Sequence, residues 1–385
     1  MKSGAVRVLV TVTLNPNQLR AHLEPIAAVP QVARIDLIAD NVSGQVEKLY
    51  TRVPPRWLAR TVGRAAAKLA VGTVVSLRER PTWVLGYNLV PHGVNALLIG
   101  RITGRRVLIH LIGGPVEWRG GGFESDNAVL SRLSRPVPWL ERALVWTIRR
   151  ADVVAVMGSG AKQDLVRRGL DPARIFVLPA RVEDRLFSQE ALEQPTYDLV
   201  TASQLISRKR LEDFLEAVAQ LRLERPQLRA AIAGRGPLET ALRARARELG
   251  VDDAVDFLGF VTDIGGLYAN SLVFALTSSY EGLSIALTEA MACGLPAVAT
   301  DVGEIRDLVD PGENGFLFDV GDVGGLVAHT ARLLADEPLR RAMGERARAA
   351  TRAYVSGDEI TAINGRILRV SDELTTTNGG VLPGV

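Results

Sequence analysis

Two glutamates eight positions apart, Glu281 and Glu289, have the residue type and spacing best suited to chemistry in this chain. Glu281 precedes a glycine in a predicted loop, and Glu289 lies about one and a half turns into the helix predicted to follow it. The first N–H groups of a helix lack intrahelical acceptors and attract phosphate. A nucleotide diphosphate on Gly282, Leu283 and Ser284 would have a carboxylate at each end for hydroxyl groups. An amphipathic helix with two surface acids also explains the two glutamates alone.

A lysine and two glycines follow other predicted strands in the same half of the chain. Lys209 comes shortly after the strand predicted over 198–202, where a fixed ammonium suits a phosphate oxygen. Gly234 and Gly236 separate a predicted strand from a predicted helix, a spacing that indicates a tight turn. A solvated surface charge and a purely structural turn stay open as explanations of these residues.

The segment from Glu281 to Pro296, with Ala-Met-Ala-Cys-Gly-Leu-Pro over 290–296, resembles a known donor-site signature. It is the signature of retaining glycosyltransferases of the family four type, also called group 1, and the resemblance covers roughly residues 150–350. The resemblance implies an α/β protein with the GT-B fold, in which two Rossmann-like parallel-sheet domains face a central cleft. It also implies transfer of a sugar from a UDP- or GDP-type donor to an acceptor hydroxyl, with retention and without a cofactor or metal.

The resemblance also implies roles for individual residues around this donor signature. Glu281 would bind the donor sugar hydroxyls, Glu289 the ribose hydroxyls and Lys209 the diphosphate, and Glu281 and Lys209 would act in catalysis with His110. The backbone at Gly234 and Gly236 would approach the nucleotide, and Val261 would approach the base.

One of the departures from the pattern of this family concerns the donor diphosphate. Gln204 stands where the family carries an arginine for the donor diphosphate. Arg208 and Arg210 are both candidates to supply the missing charge.

The acceptor side is expected in the first half of the chain. His110 lies in the strand predicted over 107–112, and a core histidine is an equally open explanation for it. Gly113, Gly114 and Glu117 begin a glycine-rich loop over 113–124, which is expected to act as a lid at the acceptor entrance.

Predicted strands alternate with predicted helices along the chain, which indicates parallel β-α-β units. A polar, proline-containing stretch at 190–195 is the expected linker between two domains. The predicted regions are an acceptor-side domain over 1–188, a nucleotide-sugar-binding domain over 196–356, a helix over 357–373 packed back onto the first domain, and a loose tail over 374–385.

Charge is distributed unevenly between the two halves. Residues 1–190 hold 27 Lys and Arg against 15 Asp and Glu, whereas the remainder holds 19 against 28. Basic residues recur every fourth position, at Arg52, Arg56, Arg60, Arg64 and Lys68. On one helix they would form a cationic stripe for an anionic membrane surface, or an ordinary solvated face. No nucleic-acid motif accompanies this charge, so a nucleic-acid partner is not expected.

The composition indicates an ordinary globular chain. It has one cysteine, no signal-peptide pattern at its start and no long apolar run. A cytoplasmic location is expected, either free or peripheral on the inner face of the plasma membrane. The acceptor would be a lipid-linked sugar, a polysaccharide or a small glycoside.

Two other function classes fit parts of the pattern. A nucleotide-sugar-binding protein without turnover would keep the site and lack catalysis, and Gln204 in the arginine position favours it. A dinucleotide-dependent oxidoreductase would need Gly-x-Gly-x-x-Gly after a strand, but the pairs at 158–160 and 234–236 lack the third glycine.

Overall fold

The computed structural model describes residues 5–13, 16–41, 46–119 and 135–377. The chain divides into two compact units. The first comprises Met1–Arg181 together with Gly357–Val385, and the second comprises Val182–Ser356. Within the described ranges no helix combines the length and apolarity needed to cross a bilayer.

The first unit is built on a parallel sheet of seven described strands. The strands are β1 Val6–Thr11, β2 Val32–Ile38, β3 Leu49–Arg52, β4 Trp83–Tyr87, β5 Arg106–Leu111, β6 Val153–Val156 and β7 Ile175–Val177. Their order across the sheet is β3-β2-β1-β4-β5-β6-β7. The inner strands are nearly continuous Val, Ile and Leu runs, because helices cover both faces of such a sheet.

Helices cover this sheet on both faces. They are α1 Pro16–Ala28, α2 Arg56–Val62, α3 Arg64–Glu79, α4 Val94–Thr103, α5 Pro138–Ile148 and α6 Ser159–Arg167. Two separate clusters of buried apolar side chains result, one on each face of the sheet.

The second unit repeats this plan with six described parallel strands. They are β8 Tyr197–Ala202, β9 Ala230–Ala233, β10 Val255–Gly259, β11 Ser271–Leu276, β12 Ala297–Thr300 and β13 Gly315–Phe318, in the order β10-β9-β8-β11-β12-β13. Its helices are α7 Leu211–Glu224, α8 Glu239–Glu248, α9 Ile264–Ala269, α10 Ile285–Ala292, α11 Val323–Ala335 and α12 Glu337–Val355. The predicted pair of Rossmann-like parallel sheets is confirmed.

Each sheet has one point where the strand order reverses. In the first unit this point lies between β1 and β4, and in the second unit between β8 and β11. Connections leave neighbouring strands in opposite directions there, which opens a crevice outside the carboxyl ends of the strands. Ligand sites are therefore expected in the loops that follow these four strands.

The division between the units falls at Arg181 and Val182, before the linker that was predicted over 190–195. The segment that follows Val182 is held within the second unit. Phe187 is buried, and Arg348 of α12 donates a hydrogen bond to the carbonyl of Gln189 at 2.7 Å.

The last helix, α13, spans Gly357–Thr377 and belongs to the first unit. Ile363 and Ile367 of α13 share a buried cluster with Leu19 and Leu23 of α1. The helix continues through residues 374–377, which were predicted to belong to the tail, because the helical sequence pattern does not end at residue 373. Residues 378–385 lie outside the described ranges.

The predicted cationic stripe does not lie on one helix. Arg52 is in edge strand β3, which the sequence analysis missed, and it pairs with Asp36 and Glu79. Gly63, with φ 84°, ends α2 before α3 begins at Arg64. The side chain of Lys68 is buried. A short polar strand and one left-handed glycine therefore replace the continuous helix.

Replacing Ile367 by alanine tests the packing of α13 on the first unit. Ile367→Ala should lower the free energy of unfolding by about 2–5 kcal/mol, because it removes fully buried methylene groups. Chemical denaturation measures this change. The neighbouring exposed Arg366→Ala should change it by less than about 0.5 kcal/mol. Equal effects of the two substitutions would contradict this packing.

Candidate functional site

The loops after β8 and β11 are joined by hydrogen bonds at the carboxyl edge of the second sheet. The Thr277 hydroxyl donates to the carbonyl of Lys209 at 2.7 Å. The N–H of Ser279 donates to the carbonyl of Arg208 at 2.8 Å. These bonds fix the backbone of both cationic residues beside the loop that carries Glu281.

The carboxylate of Glu281 is the centre of this site. It is 5% exposed, accepts a hydrogen bond from the Ser278 hydroxyl at 2.6 Å and forms an ion pair with the Lys209 ammonium. Nη1 of Arg208 lies 3.8 Å from its second oxygen and donates to the carbonyl of Tyr280 at 3.2 Å. The structure therefore brings Glu281, Lys209 and Arg208 together.

Helix α10 begins directly after this loop. Ser284 is its N-cap, and its hydroxyl accepts a hydrogen bond from the N–H of Leu287 at 3.4 Å. The side chain of Ser284 therefore caps the helix. Lys209 and Arg208 contact Glu281, which precedes this N-cap by three residues, so two cations lie near the end of α10 that carries positive partial charge.

A glycine permits the close backbone packing around Glu281. A Cβ atom on Gly303, which has φ 57°, would lie 1.8 Å from the carbonyl oxygen of Glu281. The next residue, Glu304, donates its N–H to the carbonyl of Gly282 at 3.1 Å. The loop after β12 thus supports the loop that carries the carboxylate.

Glu289 lies in the second turn of α10 and is half-buried. Burial, and secondarily the negative charge of Glu183, raise its pKa to about 7, and Arg185 opposes this shift. Within the described part of the chain its carboxyl group has no hydrogen-bond partner. A half-buried carboxyl group without a partner, in the second turn of the helix that follows Glu281, is suited to a ligand hydroxyl.

The remaining donor-side residues lie in the neighbouring loops. A Cβ atom on Gly234 would lie 1.7 Å from the carbonyl oxygen of Ser203, and one on Gly236 would lie 2.4 Å from that of Leu205. Both glycines are therefore required for packing between the loops after β8 and β9. Val261 follows β10 and is half-buried.

The two candidates for the missing arginine differ in their surroundings. Arg210 donates two hydrogen bonds to the Asp213 carboxylate at 2.7 and 3.0 Å, which fixes it on α7. Arg208 lies beside Glu281, and Gln204 is exposed. The geometry therefore favours Arg208 over Arg210.

His110 requires a correction, because the structure places it in the core of the first unit. It is 1% exposed, its Nε2 donates to the carbonyl of Leu178 at 3.0 Å, and its ring packs against His22 and Tyr87. Burial, and secondarily the nearby His22, lower its pKa well below the usual value. A neutral histidine enclosed in this way is a core residue rather than a group exposed to a substrate.

Glu117 has a structural use in the loop after β5. Its two carboxylate oxygens accept hydrogen bonds from the N–H groups of Gly113 at 2.6 Å and Leu89 at 2.5 Å. Gly114 is buried with φ 70°. This part of the predicted lid is thus anchored, and residues 120–124 of the lid lie outside the described ranges.

A buried polar cluster that the sequence analysis missed lies where the first sheet reverses its order. His92, after β4, has its ring nitrogens 3.0 Å from the Thr11 hydroxyl and 3.1 Å from the Thr13 hydroxyl. Lys68 donates to Thr13 at 2.7 Å and to Asp40 at 2.8 Å. The useful signal would have been a histidine directly after a predicted strand.

Among the residues that the structure describes, no group of three or more His, Cys, Asp or Glu side chains could hold a metal ion.

Three comparisons relate the chain to known proteins. Residues 182–350 match the family model of glycosyl transferases group 1. The chain is 28% identical over 297 residues to N-acetyl-alpha-D-glucosaminyl L-malate synthase of Bacillus anthracis, which covers 75% of this chain and 74% of that protein. It is 31% identical over 203 residues to MMP alpha-(1->4)-mannosyltransferase of Mycolicibacterium hassiacum, which covers 51% of this chain and 48% of that one. The match thus spans about half the length of this second relative.

The fold comparison extends over almost the whole chain. A crystal structure of Anabaena HepE in complex with UDP-glucose covers 95% of this chain and 99% of its own, with a TM-score of 0.74 and 18% identity. Residues 182–350 of the second unit therefore resemble the glycosyl transferases group 1, and the two Rossmann-like parallel-sheet units have the GT-B fold.

Proposed function

We propose that the chain transfers a glycosyl group from a nucleotide-diphosphate sugar to an acceptor hydroxyl, with retention at the anomeric carbon. The observation that carries the proposal is the cluster of Lys209, Arg208 and Glu281 beside the N-terminus of α10. This cluster lies at the reversal point of the second sheet, where ligands of such sheets bind.

The donor diphosphate would bind between the Lys209 ammonium and the first N–H groups of α10, at Gly282, Leu283 and Ser284. Lys209 then exchanges part of its interaction with Glu281 for the phosphate oxygens, and Glu281 accepts hydrogen bonds from the sugar hydroxyls. Glu289 accepts from the ribose hydroxyls. Gly234, Gly236 and Val261 form the walls around the nucleoside.

Catalysis would be mainly electrostatic. The bond between the anomeric carbon and the diphosphate oxygen breaks, and its electron pair moves to the diphosphate. Lys209 and the helix N–H groups stabilise this charge as it develops. The acceptor oxygen bonds to the anomeric carbon on the same face, and its proton moves to the leaving diphosphate.

Arg208 would supply the charge that Gln204 does not. Its guanidinium already lies beside Glu281, so a small movement would place it on the diphosphate. These cations would neutralise the leaving group without a divalent metal, and we propose a reaction that needs neither metal nor cofactor.

The nature of the substrates is proposed from the relatives. Since HepE binds UDP-glucose in its crystal structure, a UDP sugar is the first donor to test, and a GDP sugar is the second. The names of the relatives include different acceptors, such as L-malate and lipopolysaccharide. The acceptor is accordingly kept as a lipid-linked sugar, a polysaccharide or a small glycoside.

We place the reaction in the cytoplasm, where activated nucleotide sugars are available. A peripheral contact with an anionic membrane would involve α2, which has no buried residue and carries Arg56, Arg60 and the 68% exposed Trp57. Exposed tryptophan and arginine together favour a lipid interface.

Substitution of the central ion pair tests the proposed activity. Lys209→Gln should lower kcat about 10²- to 10³-fold because it removes a charge from the leaving group. Glu281→Gln should lower kcat/KM about 10- to 100-fold because it weakens hydrogen bonds to the sugar. The measurement is nucleoside diphosphate release from UDP, GDP and ADP sugars, with donor binding followed by calorimetry.

Arg247→Gln, an exposed substitution on α8, should leave these rates unchanged. The double variant Lys209→Gln/Glu281→Gln should fold better than either single variant while remaining inactive, because it leaves no unpaired buried charge. Donor binding without product release in the unaltered protein would support a binding protein instead of an enzyme. Full activity in Glu281→Gln would contradict the proposed site.

The raised pKa of Glu289 predicts a pH dependence of donor binding. Since the ionised carboxylate is the better hydroxyl acceptor, affinity for a nucleotide sugar should rise about tenfold from pH 6 to pH 8, through the pKa of about 7. Burial lowers the pKa of His22 to about 4, and burial and Lys68 lower that of His92 to about 3, so neither titrates in this range.

Calorimetry of Glu289→Gln provides the comparison for this pH dependence. The variant should bind the donor weakly and with little change across the same range, whereas the exposed Glu345→Gln should behave like the unaltered protein. An equal pH dependence in Glu289→Gln would show that another group is responsible.

A further inference from the structure

A polar pocket of about 450 Å³ lies in the first unit, beyond the ends of β2 and β3. Its walls combine one acid, one amide and three apolar residues with three arginines: Asp40, Asn41, Val53, Pro54, Ala59, Arg56, Arg60 and Arg64. The carboxyl ends of parallel strands are where ligands of this class of sheet bind. The position of the pocket therefore suits a ligand of the first unit.

The backbone directs arginines from two helices toward this pocket. Arg56 and Arg60 are one turn apart on α2. Gly63 ends that helix in a conformation with φ 84°, and Arg64 begins α3. The three side chains line one cavity although they do not share a helix.

The single acid of the pocket is already neutralised. The Asp40 carboxylate accepts hydrogen bonds from the buried Lys68 ammonium at 2.8 Å and from the Thr13 hydroxyl at 3.1 Å. Among the residues that the structure describes, the three pocket arginines form no ion pair within 4 Å. Residues 42–45, Val-Ser-Gly-Gln, add no acid to this part of the sequence. Asp40 also attracts Arg64 electrostatically, and the pocket keeps an excess of positive charge.

The three arginines are exposed, so their mutual repulsion is modest. Like charges four residues apart on a helix repel each other, and α2 has no buried side chain that would offset the cost. Other arginines of the same unit do have carboxylate partners, since Arg34 and Arg52 form ion pairs with Asp36 and Glu79. A bound anion would remove the repulsion.

We propose that this pocket binds a phosphate group of the acceptor substrate. Planar guanidinium groups bind phosphate oxygens through paired hydrogen bonds, and three of them carry enough positive charge for a phosphate monoester or diester. Assigning the phosphate to an acceptor rests on the proposed glycosyl transfer, whereas phosphate binding itself rests on the pocket alone. The phosphate is carried either by a soluble acceptor or by a lipid headgroup.

Binding of inorganic phosphate tests the pocket directly. Calorimetry compares the unaltered protein with Arg56→Gln/Arg60→Gln, and the double variant should bind phosphate at least tenfold more weakly. The exposed Arg101→Gln on α4 is the matched control and should bind normally. Lys209→Gln should keep the arginine-dependent part of the phosphate binding, because the pocket is lined by residues of the first unit alone. Vesicles with and without phosphatidylglycerol provide the lipid arm.

Each outcome has a defined meaning. Arginine-dependent binding of inorganic phosphate supports the pocket, and additional arginine-dependent binding to phosphatidylglycerol vesicles assigns the phosphate to a lipid. Equal phosphate affinity in Arg56→Gln/Arg60→Gln and the unaltered protein overturns the proposal, as does arginine-dependent vesicle binding without any phosphate binding. If the unaltered protein binds phosphate in this way but no nucleotide sugar, the glycosyl-transfer proposal fails and the phosphate pocket stands.

Discussion

The ion pair between Lys209 and Glu281 is the interaction on which the second unit's candidate site depends. Both side chains are largely buried, so each charge relies on the other for stabilisation. Removing one member of a buried pair leaves the other uncompensated and typically costs about 3–5 kcal/mol. The same pair is suited to exchange with a ligand, because a diphosphate can replace the carboxylate next to the ammonium.

The surrounding backbone keeps this pair in position. Thr277 and Ser279 bind the carbonyls of Lys209 and Arg208, and Gly303 allows the loop after β12 to touch the carbonyl of Glu281. The loops after β8, β11 and β12 are adjacent because their strands are neighbours in the sheet. A parallel sheet thus brings together residues that lie up to about a hundred positions apart in the sequence.

The first unit presents the same geometry with a different charge distribution. At its reversal point the polar side chains of His92, Thr13, Lys68 and Asp40 bind one another, and the pocket arginines lie beyond them. The pocket arginines contribute to the positive net charge of the first half of the chain.

The sequence was most informative where a residue's use depends on local structure. The strand-loop-helix pattern around Glu281 and the position of Lys209 after a strand predicted the loops that meet in the second unit. Their ion pair could not be predicted, because it depends on the pairing of β8 with β11. The two explanations of His110 could not be separated from the sequence, because alternation along a strand shows which face a residue occupies but not what covers that face. The prediction of a cationic stripe on one helix was wrong, because the sequence gives little sign of a single helix-ending glycine or of a four-residue edge strand.

The most direct test of the central claim is a crystal structure of the chain with a bound nucleotide sugar. The account predicts a diphosphate oxygen within about 3 Å of the Lys209 ammonium and of the first N–H groups of α10, with the ribose hydroxyls on Glu289. A bound nucleotide sugar whose diphosphate lies elsewhere, while Lys209 remains fully paired with Glu281, would contradict it.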